Sequence, residues 1–149
     1  MTEFNDRVIA EFRAGRGRVG AWGSNLVLIH HRGIRTGTER VNPAMSLRSG
    51  GDWLVVGSAM GAPRDPAWTV NLRAHPDTEI EAVIDGDIAT VPVRAVELTG
   101  RERDAAFARF VDMAPAFAAY QAKAPRPLPV IRFTRRAPEH VPGTVEDAR

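Results

Sequence analysis

The 149 residues are enough for one domain with its own core, and no apolar run approaches the roughly 18–20 residues of a membrane-spanning helix. The absence of cysteine excludes disulfides, thiolate metal sites and a cysteine nucleophile. Lys123 is the only lysine, so the net charge of +2 rests on arginine, whose rigid fork suits carboxylate and phosphate.

Phe4, Val8, Ile9 and Phe12 recur at helical spacing and predict an amphipathic helix over residues 2–14. Glu3, Asp6 and Glu11 interrupt any long apolar core there, so no secretory signal is expected and a cytoplasmic location is the default. The same helix, with Arg7 and Arg13 beside its aromatics, is a candidate for weak contact with an anionic membrane, which would make the protein membrane-peripheral. Four glycines between residues 15 and 23 then open a loop. Residues 25–31 (NLVLIHH) read as a short strand, 32–39 (RGIRTGTE) as a polar turn, and 40–48 (RVNPAMSLR) as a strand that Pro43 assigns to an edge or a bulge. Residues 49–52 (SGGD) signal a hairpin into the strand 53–57 (WLVVG).

A loop over 58–64 follows, and Asp65-Pro66 predicts a capped helix from 66 to about 74. Two further strands, 78–84 and 88–98, flank the turn Asp85-Gly86-Asp87. Thr99 and Glu102 have capping-box spacing for a helix ending near Asp112, and Pro115 starts another ending near Lys123. Pro125, Pro127 and Pro129 stiffen the connector to a last strand at 130–134. Strand–turn–strand pairs without βαβ alternation predict a mainly β fold with added helices (α+β), an antiparallel barrel. Residues 1–149 read as one domain, with 1–24 as helix and loop and 136–149 as a loose tail.

No nucleophile elbow, zinc-protease helix or phosphate loop is present. His30 and His31 are adjacent on a strand and point to opposite faces, so they cannot chelate one metal ion. His75 and His140 fall at a helix end and in the tail, where capping or solvation explains them. Eight arginines stand against four acidic residues between residues 1 and 48. No dense basic stretch or aromatic interleaving accompanies them, which favours a local anion site over a nucleic-acid surface. Two loops supply candidate ligands. One holds Arg35, Thr36, Arg40 and Asn42, whose arginines either bind an anion or pair with Glu39 and Asp52. The other runs from Gly57 through Ser58 and Ala59 to Trp68, an aromatic that either stacks on a ligand or fills the core. Anion donors and aromatics without an acid–base pair suit a cofactor that brings its own chemistry.

In order, the stretches 33–43 (GIRTGTERVNP), 47–52 (LRSGGD), 58–76 (SAMGAPRDPAWTVNLRAHP) and 115–121 (PAFAAYQ) resemble the deazaflavin (coenzyme F420)-dependent nitroreductase family. The resemblance runs from the first helix to Phe133. It implies a split β-barrel of the FMN-binding type and an oxidoreductase that passes hydride from reduced F420 to a small electron-poor acceptor: a quinone, nitroaromatic or activated enone. Ile34, Arg35, Thr36, Arg40, Val41, Asn42, Pro43, Ala44 and Met45 are then expected at the cofactor, with Arg35 and Thr36 on its anionic tail. Val56, Gly57, Ser58 and Ala59 are expected against the ring, and Ala67, Trp68, Thr69, Val70 and Asn71 close over it, with Phe117 at the mouth. Ser58 and Tyr120 are the expected catalytic hydroxyls. Relatives carry tyrosines where this chain has Ala114 and Phe117, and a longer polar residue then glycine in place of Ala59-Met60, so Met60 is expected to narrow the pocket. The alternatives are an FMN-dependent reductase on the same barrel and a non-catalytic deazaflavin carrier, with a homodimer left open.

Overall fold

The computed structural model describes residues 3–137. Chain order is α1 (Glu3–Ala14), β1 (Leu26–Arg32), β2 (Glu39–Ser49), β3 (Asp52–Val56), α2 (Ala67–Ala74), β4 (Asp77–Ile84), β5 (Asp87–Glu97), α3 (Gly100–Met113), α4 (Ala116–Lys123) and β6 (Val130–Arg135). The strands close into an antiparallel barrel ordered β1-β2-β3-β6-β5-β4, the architecture expected from the sequence.

Strand alternation sorts the core. Val27 and Ile29 of β1, Trp53 and Val55 of β3, Ile80 and Ala82 of β4, and Ile131 and Phe133 of β6 pack together inside the barrel. Trp68 and Leu72 of α2 join that cluster, so α2 packs against the barrel interior. The opposite faces are covered too. Leu26 and Leu28 of β1 pack under Val8, Ile9 and Phe12 of α1. Leu54, Val56 and Val130 pack under Phe107 and Phe110 of α3 and Phe117 of α4. Burial on both faces explains why β1 and β3 are continuous apolar runs rather than alternating ones. Each fully buried side chain of this size contributes roughly 1.5–3 kcal/mol, which makes the covering helices as necessary as the interior. Val8, Ile9 and Phe12 of α1 are therefore used on the barrel while Phe4 stays exposed, and no described helix is long and apolar enough to cross a membrane.

Pro43 lies in a closed barrel but in a stretch of β2 with one neighbour. Residues 39–45 pair with β1, whereas only 46–49 pair with β3, so the missing amide costs little. Both expected caps differ from observation. Thr99 stands at the N-cap of α3 without a side-chain capping bond, and Gly100 beside it has a φ of 59°, outside helical geometry. Pro66, not Asp65, is the N-cap of α2; the Asp65 carboxylate is taken by Arg126 at 2.6 Å and Arg73 at 2.8 Å. At the C-terminal end Arg136 donates to the carbonyls of Val93 and Thr78, 3.0 Å each. The rest of the expected tail from residue 138, His140 included, lies outside the described residues.

α1 is also pinned by charge. Arg13 donates twice to Glu81 on β4, at 3.1 and 2.6 Å, and His30 Nε2 lies 2.8 Å from the same carboxylate. Chiefly through the Arg13 hydrogen bonds, the Glu81 pKa is lowered below the ordinary carboxylate value. A lowered carboxylate contributes stability that is present above its unfolded pKa and lost as pH falls through its folded one. Arg13→Ala, which leaves a buried carboxylate facing only His30, is expected to cost about 1–3 kcal/mol in urea unfolding at neutral pH. The gap to wild type should close as the pH is lowered through the Glu81 titration.

Candidate functional site

β2 runs past the end of β3 over residues 39–45, where it pairs with β1 alone. Two joined cavities occupy this place. The polar one, about 500 Å³, is lined by Gly33, Ile34, Arg35 and Thr36 of the β1–β2 turn, with His31, Arg40, Asn42, Ala67, Asn71 and Asn5. The apolar one, about 660 Å³, is bounded by Pro43, Ala44 and Met45 of β2 and by Phe4, Val8 and Trp22 on the α1 side. Leu26, Val56, Ser58, Ala59, Met60, Pro66, Trp68 and Phe117 line it as well. Asn5, Asn42 and Ala67 line both, so the two form one continuous groove.

The turn that builds the polar end is held by its own backbone. Gly33 N donates to Thr38 O at 3.0 Å and Gly37 N to Gly33 O at 2.9 Å. Thr38 N donates to Thr36 Oγ1 at 3.1 Å, which leaves the threonine hydroxyl hydrogen for another acceptor. Arg35 and Arg40 are exposed, and neither has an acidic partner within ion-pair distance among the described residues. Glu39 pairs with Arg32 at 3.7 Å and Asp52 with Arg132 at 3.1 Å, so the hairpin-internal pairing of Arg35 and Arg40 does not occur. Two unneutralised guanidinium groups beside a free hydroxyl donor have the chemistry to hold an anion.

The apolar end depends on the segment after β3. Gly57 fits where β3, α2 and the proline connector converge: a Cβ there would stand 2.6 Å from Thr69 Cγ2 and 3.0 Å from Pro129 Cγ. Ala59, Met60 and Gly61 follow with φ of 43°, 55° and 80°, a left-handed run that only glycine adopts without cost. Gly61 packs so closely on α4 that a Cβ would meet the Tyr120 carbonyl oxygen at 2.7 Å. Arg126 ties the segment down. Its guanidinium donates to Asp65 Oδ1 at 2.6 Å, Ala62 O at 3.1 Å, and the carbonyls of Gly57 and Ser58 at 3.4 Å each. Gln121 of α4 holds the connector in turn, donating to Arg126 O at 2.8 Å and accepting from Leu128 N at 2.9 Å.

Of the residues expected at the site, Ile34, Arg35, Thr36, Arg40, Asn42, Ala67 and Asn71 meet at the polar end. Pro43, Ala44, Met45, Val56, Ser58, Ala59, Trp68 and Phe117 meet at the apolar end. Val41, Gly57, Thr69, Val70 and Tyr120 lie outside both. Val41 packs toward α1, and the Thr69 hydroxyl is spent on Pro66 O at 2.7 Å. Tyr120 stands edge-on to Phe117, ring centroids 5.8 Å apart, so Phe117 alone of the Ala114, Phe117 and Tyr120 row lines the groove. Trp68 fills the barrel core, 7% exposed, and also lines the apolar cavity. Met60 is 69% exposed and lines the apolar cavity. The Ser58 hydroxyl makes no hydrogen bond among the described residues, and Ser58 lines the apolar cavity.

Sequence reasoning missed three contributors. Phe4, Asn5 and Val8 make α1 a wall of the groove, where periodicity had indicated only a packing helix. Arg126 lies 61 residues from its Asp65 partner. His31, considered only as a metal ligand, is buried behind the polar cavity, with Nε2 2.8 Å from Asn42 Oδ1 and Nδ1 3.0 Å from Asn71 Nδ2. The inward parity of His31, shared with Val27 and Ile29, was the available signal.

The profile of the F420H(2)-dependent quinone reductase family matches residues 5–134. An F420H(2)-dependent quinone reductase of Mycobacterium tuberculosis (strain ATCC 25618 / H37Rv) is 31% identical over 135 residues, covering 85% of this chain and 87% of its own. A solved F420-H2 dependent reductase is 33% identical, with a TM-score of 0.63 over 73% of this chain and 93% of its own. A solved structure described as a domain-swapped dimer is 27% identical, with a TM-score of 0.66 over 86% of this chain and 94% of its own.

Proposed function

The chain belongs to the F420H(2)-dependent quinone reductase family, and on that premise we propose that its groove binds reduced coenzyme F420 lengthwise and delivers the hydride to a quinone. One observation supports this placement above others: a polar cavity with unpaired Arg35 and Arg40 joins an apolar cavity at Asn42. That polarity matches a molecule with a planar ring at one end and an anionic tail at the other. Arg35, Arg40 and the Thr36 hydroxyl would hold the tail by charge-assisted and neutral hydrogen bonds. Pro43, Ala44, Val56 and Trp68 would bound the ring and exclude water from it.

When bound, the reduced deazaflavin supplies the hydride. The protein holds the two reactants in register, and effective molarity from such positioning accounts for much of an acceleration of this type. A quinone that accepts hydride gains negative charge on oxygen. The unengaged Ser58 Oγ–H, at the apolar cavity, is the donor we assign to that oxygen. Tyr120 contributes by bracing Phe117 rather than by contact. Nitroaromatics and activated enones share the quinone's electron-poor character and are secondary acceptors. A homodimer is the assembly we favour, supported by the relative described as a domain-swapped dimer.

In single-turnover oxidation of bound reduced F420 by a quinone, Ser58→Ala is expected to slow hydride transfer about 10–100-fold. Tyr120→Phe, which keeps the ring, should stay within about threefold of wild type, the size expected of a change that preserves packing. An unchanged rate in Ser58→Ala would remove that hydroxyl from the mechanism. Trp68 fluorescence offers a titration that separates cofactors: F420 should quench it more tightly than FMN, and the reverse order would favour a flavin enzyme on the same barrel.

A further inference from the structure

His31 is buried, 5% exposed, at the end of the inward row of β1. Its Nε2 lies 2.8 Å from Asn42 Oδ1 on β2, and its Nδ1 lies 3.0 Å from Asn71 Nδ2 on α2. A neutral imidazole has one N–H and one lone pair. These contacts are those of the Nε2–H form, which donates to the Asn42 carbonyl and accepts from the Asn71 amide. Each asparagine is thereby oriented. With its carbonyl turned to His31, Asn42 has its NH₂ left over, and Asn42 stands where the polar and apolar cavities join. With its NH₂ turned to His31, Asn71 has its carbonyl left over at the polar cavity.

We propose that His31 is a positioning residue that sets Asn42 as a donor and Asn71 as an acceptor along the cofactor groove. This rests on the reading of the groove as the F420 site. Chemically, the arrangement suits an acceptor oxygen of the cofactor beside Asn42 and a hydroxyl beside Asn71. Reversing the tautomer would reverse both amides and turn the Asn42 oxygen toward the stretch leading to an anionic tail. Burial lowers the His31 pKa below the ordinary histidine value; the Asn42 bond, the next largest effect, opposes it, and the charges of Arg40 and His30 lower it further. The shift favours the neutral ring that a one-donor, one-acceptor relay requires. Arg40, whose Cα faces that of His31 across the β1–β2 ladder, stands against any second proton on the imidazole.

The relay can be read directly in the cofactor-free protein by ¹⁵N NMR of the His31 ring. A protonated Nε2 with a bare Nδ1 is expected, and a protonated Nδ1 overturns the proposal. Its consequence is tested by fluorescence titration with F420. His31→Leu, which leaves both amides unheld, should weaken F420 binding about tenfold, the loss expected for misdirecting one or two hydrogen bonds. His31→Gln, which still offers one donor and one acceptor, should recover most of it. Thermal unfolding of both variants separates loss of fold from loss of orientation. Equal affinity in wild type, His31→Leu and His31→Gln overturns the proposal while leaving the cofactor reading intact. Failure of wild type itself to bind F420 overturns both.

Discussion

Arg126→Met is expected to weaken F420 binding at least about 100-fold and to cost about 1–3 kcal/mol of stability, the range for leaving buried hydrogen-bond acceptors unsatisfied. The Arg126 side chain is 14% exposed and serves four acceptors on one segment: the Asp65 carboxylate and the carbonyls of Gly57, Ser58 and Ala62. That segment includes Ala59 and Met60 in the left-handed region, at a cost of roughly 1–2 kcal/mol each. Without the guanidinium the strained run would relax, and Val56, Ser58 and Ala59 would no longer bound the apolar cavity together. Asp65 would keep Arg73, at 2.8 Å, so the carboxylate would not be orphaned and the fold should survive. Arg126→Lys should not rescue, because one ammonium cannot reach four acceptors arranged around a planar fork. Urea unfolding and fluorescence titration of the two variants check this. Normal affinity in Arg126→Met would mean that the shape of the 57–65 segment does not matter to the cofactor.

The second large effect is expected at the polar end. Arg35→Met and Arg40→Met should each weaken F420 about 10–100-fold, the equivalent of one charge-assisted hydrogen bond of about 1.5–3 kcal/mol. Neither arginine makes an ion pair among the described residues, so stability should stay within about 0.5 kcal/mol of wild type. Wild-type affinity should fall as salt is raised, and the double variant should lose most of that dependence. A deazaflavin riboside lacking the phosphate tail gives the control: its weaker binding should be indifferent to both substitutions. An equal effect on both ligands would place the arginines elsewhere than at the tail.

The barrel was legible in the sequence because its determinants are local. The turns at Gly50-Gly51 and Asp85-Gly86 and the apolar runs of β1 and β3 register within a few residues of chain. The grouping of Arg35, Thr36, Arg40 and Asn42 at one cavity was legible for the same reason: they lie on one turn and the strand after it. What escaped depends on distant pairs. Asp65 has the spacing of a helix cap, but a guanidinium 61 residues away claims it. Thr99 has the spacing of a capping box, but the left-handed Gly100 next to it changes the entry to α3. His31 is defined by Asn42 and by Asn71, 40 residues on, and no local pattern distinguishes it from a core histidine. Tyr120 differs from its expected place: the packing of α4 puts Phe117 at the groove and Tyr120 beside it.

The claim that the protein binds reduced F420 in this groove and passes its hydride to a quinone is tested most directly by rapid mixing. Protein loaded with reduced F420 would be mixed with a quinone while the deazaflavin absorbance is followed. The expected result is reoxidation whose rate saturates with quinone and falls in Arg126→Met even when the cofactor is supplied in excess. Tight binding of reduced F420 with no reoxidation above the protein-free rate would contradict the account and leave a carrier of the cofactor in its place.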